Sequence, residues 1–218
     1  MKEIESIYLV WRTGKGQRRH KVGIIEKNDV NGFSFRYLVT EEDVKKIGFI
    51  PYTEFPELSK KYTENVLGIF GQRLTKSERS DIQKYYDFWE INPEYKENKY
   101  YLLAHTQGLL ATDNFEFLAD YLPANNLSFI SEICGLSQYK TPADILKEDD
   151  DLRWEKEPNN EYDANAVKVF KGDAFLGYIK IVHSSVFCKD GGNGLKIKVK
   201  RAEKNGYLNR VFIKIYNP

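Results

Sequence analysis

The chain has 218 residues and a mass of 25.5 kDa, room for one large domain or two small ones at ~100–200 residues each. Its 33 Lys plus Arg against 32 Asp plus Glu give a formal charge of +1, which excludes a uniformly basic coat protein and an acidic disordered chain but leaves room for opposed local patches. Hydrophobic residues at 41% are enough for a packed core, and 14% aromatics (15 Tyr, 13 Phe and 3 Trp) favour strands and offer stacking faces.

The opening Met1-Lys2-Glu3-Ile4-Glu5 has no apolar export segment, and no run approaches the ~18 apolar residues of a membrane helix. A cytoplasmic location away from the membrane is therefore expected. Cys134 and Cys188, with His20, His105 and His183, lack metal-ligand spacing, so no metal, cofactor or disulfide framework is expected.

In chain order, Ile7 to Trp11, Lys21 to Ile25 and Phe33 to Leu38 read as a meander. A polar turn from Thr13 to Gln17 and the hairpin dipeptide Asn31-Gly32 separate the three runs. Leu58, Tyr62, Asn65, Val66, Ile69 and Phe70 repeat at helical spacing, with Pro56 at the helix start. Ser77 is the expected cap of a second helix with a stripe of Ile82, Tyr85, Tyr86 and Trp89, ended by Asn92-Pro93. Tyr100 to Ala104 reads as a strand.

A domain boundary is placed at Leu122-Pro123-Ala124-Asn125-Asn126, giving an α+β module over 1–125 and a small β-barrel over 126–218. Thr141-Pro142 is expected to open a short helix. Ala166 to Phe170 and Phe175 to Ile179 form a hairpin around Lys171-Gly172-Asp173, and a short helix follows from Val182 to Cys188. Leu195 to Lys200 alternates strictly and Arg210 to Tyr216 nearly so, two half-buried strands joined through Asn205-Gly206.

The most distinctive string runs from Glu157-Pro158-Asn159-Asn160 through Glu161-Tyr162-Asp163 to Asn165-Ala166-Val167. Read physically, it is a turn feeding a strand, in which Asn160, Asp163 and Asn165 can bond their own backbone. Together with Phe175-Leu176-Gly177-Tyr178-Ile179, it resembles the HIRAN family over roughly 129–218. The resemblance implies an OB-like or SH3-like barrel that binds DNA and, in helicase-linked members, captures the 3′ end of a single strand. It further implies that Tyr162 stacks on the terminal base, Asp163 accepts from the 3′-hydroxyl, and Asn160 holds the end through its amide. Tyr178 stands where helicase-linked members carry histidine and is expected to stack or bond phosphate without a positive charge. Ser137-Gln138 stands where they carry Arg-Tyr, and Ile181 where they carry lysine, which leaves the adjoining Lys180 as the expected phosphate contact. These departures favour generic DNA binding over strict end capture.

The charge is segregated. Residues 126–163 hold 4 basic and 10 acidic residues, net −6, and residues 164–218 hold 11 basic and 3 acidic, net +8. Lys196, Lys198 and Lys200 share one strand face, as a phosphate-steering track or a solubilising edge, and Lys204, Arg210 and Lys214 can join them. A second basic group, Arg12, Lys15, Arg18, Arg19 and Lys21, surrounds Gly14 and Gly16 and suits either phosphate contact or an exposed turn. Asp149-Asp150-Asp151 with Glu155 and Glu157 reads as a solvated loop rather than a nuclease centre. His183-Ser184-Ser185 lacks the Gly-rich elbow of a nucleophile.

The segment from residue 7 to about 90 is faintly similar to the N-terminal subdomain of HipA-type kinases, through Phe33-Ser34-Phe35-Arg36-Tyr37, Phe55-Pro56 and the run from Val66 to Leu74. That similarity implies a docking module. The combined expectation is a non-enzymatic protein that binds single-stranded DNA or DNA ends and contacts a protein partner through its N-terminal half. The alternative is a protein–protein adaptor or antitoxin-like subunit without DNA binding.

Overall fold

The computed structural model of the protein describes residues 3–28, 32–139 and 141–218, which form two compact units, Glu3–Asp120 and Tyr121–Pro218. The architecture is α+β, a sheet with helices followed by a six-stranded antiparallel barrel.

In the N-terminal unit, β1 (Ile4–Trp11), β2 (His20–Asn28) and β3 (Gly32–Tyr37) pair antiparallel. With β4 (Phe115–Tyr121) beside β1, they form a sheet of order β3-β2-β1-β4. Of the hairpin dipeptide, Gly32 has the expected left-handed φ of +80° and Asn31 lies outside the described residues. Phe35 is completely buried at the centre, with its ring 5.1 Å from Phe55, 5.0 Å from Phe70 and 4.9 Å from Tyr37. Gly23 on β2 lies directly against that ring; a Cβ there meets Phe35 Cε2 at 2.5 Å, so a glycine lets the ring lie flat on the strand.

Four helices accompany this sheet: α1 (Glu41–Ile47), α2 (Val66–Phe70), α3 (Ile82–Trp89) and α4 (Lys99–Thr106). Helix α1 has no buried residue and so no apolar stripe; a Thr40–Asp43 capping box starts it and Gly48 at φ +70° ends it. Helix α2 is shorter than the 58–70 expectation, because Tyr62 is held extended by reciprocal 2.8 Å backbone bonds to Phe35. Ser77 caps nothing: Asp81 precedes α3 and provides no side-chain cap. The strand expected at Tyr100 to Ala104 is instead α4, capped by Asn98 Oδ1 accepting from Tyr101 N at 2.9 Å. Because Tyr100 through Thr106 are all buried, the helical period leaves no polar face to betray it.

In the C-terminal unit, β5 (Ser128–Cys134), α5 (Leu136–Tyr139), β6 (Asp151–Lys156), β7 (Val167–Lys171), β8 (Ala174–Ile179), β9 (Lys196–Asn205) and β10 (Tyr207–Tyr216) follow in turn. The strands close into a barrel of order β10-β5-β8-β7-β6-β9, every neighbouring pair antiparallel. Val167, Val169, Leu176, Ile197, Val199, Val211, Ile213 and Ile215 fill its interior. The imperfect alternation of β10 has a local cause. A register shift between Phe212 and Ile213 lets Val211, Phe212 and Ile213 all be buried. Thr141-Pro142 does not open a helix; Pro142 bridges Tyr207, and Thr141 O accepts from Leu208 N at 2.9 Å. The Val182–Cys188 helix is a 3₁₀ segment, His183–Cys188.

Candidate nucleic-acid interface

The loop between β6 and β7 is organised by Glu157. Its Oε2 accepts from Asn160 Nδ2 at 2.7 Å and from the Tyr178 hydroxyl at 3.0 Å, and its Oε1 is ion-paired with Lys168. The bonds from Lys168 first, then from Asn160 and Tyr178, hold its carboxyl below the usual range against the opposing effect of burial. Burial first, and the neighbouring carboxylate second, push the Tyr178 phenol up. Asn160 Oδ1 in turn accepts from the backbone N–H of Tyr162 at 3.0 Å and of Asp163 at 3.1 Å. Both ends of the Asn160 amide are thus engaged within the loop, and this residue positions its neighbours.

That scaffold presents Tyr162 with 63% of its surface exposed, beside Asp163. Asp163 Oδ1 accepts from Asn165 N at 3.0 Å, and Oδ2 accepts from Ser184 Oγ at 3.3 Å. A carboxylate has about four lone-pair sites, so Asp163 keeps capacity for a hydroxyl donor. Ser184 reaches it because the chain turns at Val182, a β-branched residue at φ +74°. Such a backbone costs on the order of 1–3 kcal/mol and persists only where surrounding structure imposes it. The other wall depends on Gly177. At φ +144° it lies so close to β5 that a Cβ meets Cys134 O at 2.1 Å, and this approach sets Tyr178 opposite Cys134 and Lys168.

Among the predicted site residues, Asn160, Tyr162, Asp163 and Tyr178 come together here. Lys180 does not join them. Its side chain is fully buried, with Nζ 3.1 Å from Glu132 Oε2, and Glu132 also binds Arg210 at 3.1 Å. The cation expected to meet phosphate therefore anchors the outside of β5, since a buried ammonium needs a counter-ion more than a solvent path.

Lys196, Lys198 and Lys200 point outward, alternating with the interior Ile197 and Val199. Lys198 faces Asp151 at 3.7 Å, a surface pair worth ~0–1 kcal/mol and readily exchanged for phosphate. Lys196, level with Arg153, makes no ion pair with any described residue. The lysine face begins about 13 Å from Glu157, four residues along β6 at ~3.3 Å each. Lys204 donates to Leu146 O at 2.9 Å, and Lys214 lies over Tyr216 at 5.6 Å, so neither extends the row as a bare cation.

The basic group of the N-terminal unit divides by depth. Arg12 and Arg19 both pair with Glu116, at 3.3 and 3.0 Å, and Glu116 is 2% exposed. Lys21 lies over the Tyr8 ring at 5.5 Å. Lys15, Arg18 and Lys21 are exposed, so of the five expected cations Arg12 and Arg19 are the two drawn onto a buried acid. Among the described residues no three His, Cys, Asp or Glu side chains gather as metal ligands, and no helix is long and apolar enough to cross a membrane.

Sequence reasoning passed over Glu157 and Lys168 as site residues. Register counted from the Lys171-Gly172-Asp173 turn sets Lys168 across from Gly177, and a shift between Val169 and Phe170 moves it opposite Tyr178, so the pairing was not legible from the turn.

The family model described as the HIRAN domain matches residues 126–188. No curated protein matches the chain. Among solved structures, the crystal structure of the HIRAN domain of human HLTF is 20% identical with a TM-score of 0.33, covering 41% of this chain and 75% of that one. The likeness of the N-terminal half to HipA-type kinases is not shown by these comparisons. Residues 126–188 are a HIRAN domain, and β9 and β10 complete the barrel beyond the matched stretch.

Proposed function

We propose that the protein is a non-enzymatic DNA-binding protein that holds single-stranded DNA at a free 3′ end in the loop of residues 157–165, with the N-terminal unit contacting a protein partner. The observation that carries this reading is the pairing of an exposed Tyr162 ring with the half-satisfied Asp163 carboxylate on a loop otherwise locked by Glu157 and Asn160. A ring stacks on any base and a carboxylate accepts from a terminal hydroxyl, the two roles that resemblance to the HIRAN family implies. The outward lysines of β9 supply the sequence-independent attraction to phosphate.

Fluorescence anisotropy with single strands ending in a 3′-hydroxyl or a 3′-phosphate, across a salt series, tests the reading. Preference for the hydroxyl supports it, and equal affinity removes end capture. Tyr162→Ala is expected to weaken binding by ~1–3 kcal/mol, roughly 5- to 150-fold, with the folded state unchanged. The burial of Lys180 and the ion pairing of Lys168 and Lys198 favour a second reading, an adaptor that has lost DNA binding. Absence of binding at low salt selects it.

A further inference from the structure

The outer wall of the barrel carries a row of side chains that runs across the strands. Arg153 on β6 is paired in register with Phe170 on β7, and Phe170 with Phe175 on β8. One residue beyond the Leu152–Ile197 pair, Lys196 on β9 stands beside Arg153. At the other end Tyr139 of α5, 44% exposed, meets Phe175 with ring centroids 4.9 Å apart. Phe170 and Phe175 are half-buried with centroids 5.5 Å apart, and the Arg153 guanidinium lies over the Phe170 ring at 4.2 Å. Phe175 also lies 5.4 Å from Tyr178, which links the row to the loop of residues 157–165. Beneath Arg153 and Lys196 opens a groove of about 590 Å³, lined further by Asp151, Gly172, Lys198 and Tyr216.

Phe170 and Phe175 face out of the closed barrel, where they pack on each other and on Tyr139 of α5 and leave part of each ring accessible. Successive strands are ~4.8 Å apart, and the ring planes turn by 53° from Phe170 to Phe175 and by 75° from Phe175 to Tyr139, so the row offers ring edges as well as faces. The cations sit at one end and the rings at the other, the combination that holds bases by their faces and the backbone by its charge. Arg153 serves both ends, because a guanidinium is planar and stacks while it stays charged. Its acidic partner Glu155 and the Lys198–Asp151 pair are at the surface, where phosphate competes on equal terms.

We infer that this row, Tyr139, Phe175, Phe170, Arg153 and Lys196, is a track for single-stranded DNA that receives the nucleotides preceding the terminus held at Tyr162 and Asp163. The inference rests on the proposed end binding and adds the path of the strand across the barrel. It makes affinity depend on length: a dinucleotide reaches only the loop, and strands of six to eight nucleotides reach Arg153 and the groove.

The test measures full-chain affinity for 3′-hydroxyl oligothymidines of two, four, six and eight nucleotides, for the wild type and for Phe170→Leu/Phe175→Leu and Arg153→Gln. The leucines keep apolar volume without a stacking face, and far-UV circular dichroism and thermal melting check that each variant is folded. The expected result is an affinity that rises with length, a loss of at least tenfold for the eight-mer in the double variant, and unchanged dinucleotide binding. Arg153→Gln is expected to lower the salt slope by about one phosphate contact. Wild-type affinity independent of length, or an eight-mer bound equally by the folded double variant, overturns the track and leaves end binding intact. Failure of the wild type to bind any strand overturns both.

Discussion

The two units use aromatic and basic residues differently. In the N-terminal unit the rings turn inward, with Phe35, Phe55 and Phe70 completely or almost completely buried, and two arginines close on the buried Glu116. The C-terminal unit also buries Tyr121, Phe129, Phe187 and Phe212, but its Tyr139, Phe170, Phe175 and Tyr178 lie on the outer wall with Arg153 and Lys196. The same residue types serve cohesion in both units and presentation in the barrel. The aromatic surplus of the sequence is therefore divided between burial and presentation.

Substitutions that move one unit's behaviour toward the other's sharpen that contrast. Phe35→Ala is expected to cost about 3–5 kcal/mol in chemical denaturation, because it empties the centre of a ring cluster. Phe175→Leu on the barrel surface is expected to change stability by less than about 1 kcal/mol. Similar losses at the two positions would erase the distinction. A somewhat smaller effect, about 3 kcal/mol, is expected for Glu116→Gln, which leaves Arg12 and Arg19 without their buried counter-charge. A neutral outcome in thermal unfolding would return these arginines to the exposed basic loop.

The smallest effect concerns acid. The Glu157 carboxyl titrates below its ordinary value of 4.5 in the folded loop. Its contribution to loop order is therefore complete above about pH 4.5 and is lost as pH falls through the lowered folded value. Backbone amide shifts of Asn160 and Tyr162, followed by NMR from pH 7 to 3, are expected to move together in that acid window. In Glu157→Gln they are expected to stay flat; a transition that persists in the variant would assign the loop's acid response to another group.

Much of this architecture was legible in the sequence, and the exceptions share a cause. The barrel strands announced themselves because each has one buried and one solvated face, as in Lys196 to Lys200. Helix α4 was hidden by burial on all sides and α1 by exposure on all sides, so neither carried a period; their caps, Asn98 and Thr40, were the readable signs. At the site, the turn chemistry of Asn160 and Asp163 followed from residue type alone. The fate of Lys180 did not, since a lysine after a strand reads the same whether it faces solvent or Glu132, and the choice depends on a residue 48 positions away. The outward placement of Phe170 and Phe175 likewise depends on strand register.

Closure of the barrel also limits how a polypeptide can attach to it. Each of its six strands has a neighbour on both sides, although β5–β8 and β6–β9 are paired over only two residues each. The N-terminal sheet is open, with β3 and β4 at its margins, and Tyr62 occupies only one position along β3. For a partner that docks by donating a strand, β3 and β4 are the open margins of the N-terminal sheet, while the barrel exposes only short stretches beside its two-residue seams.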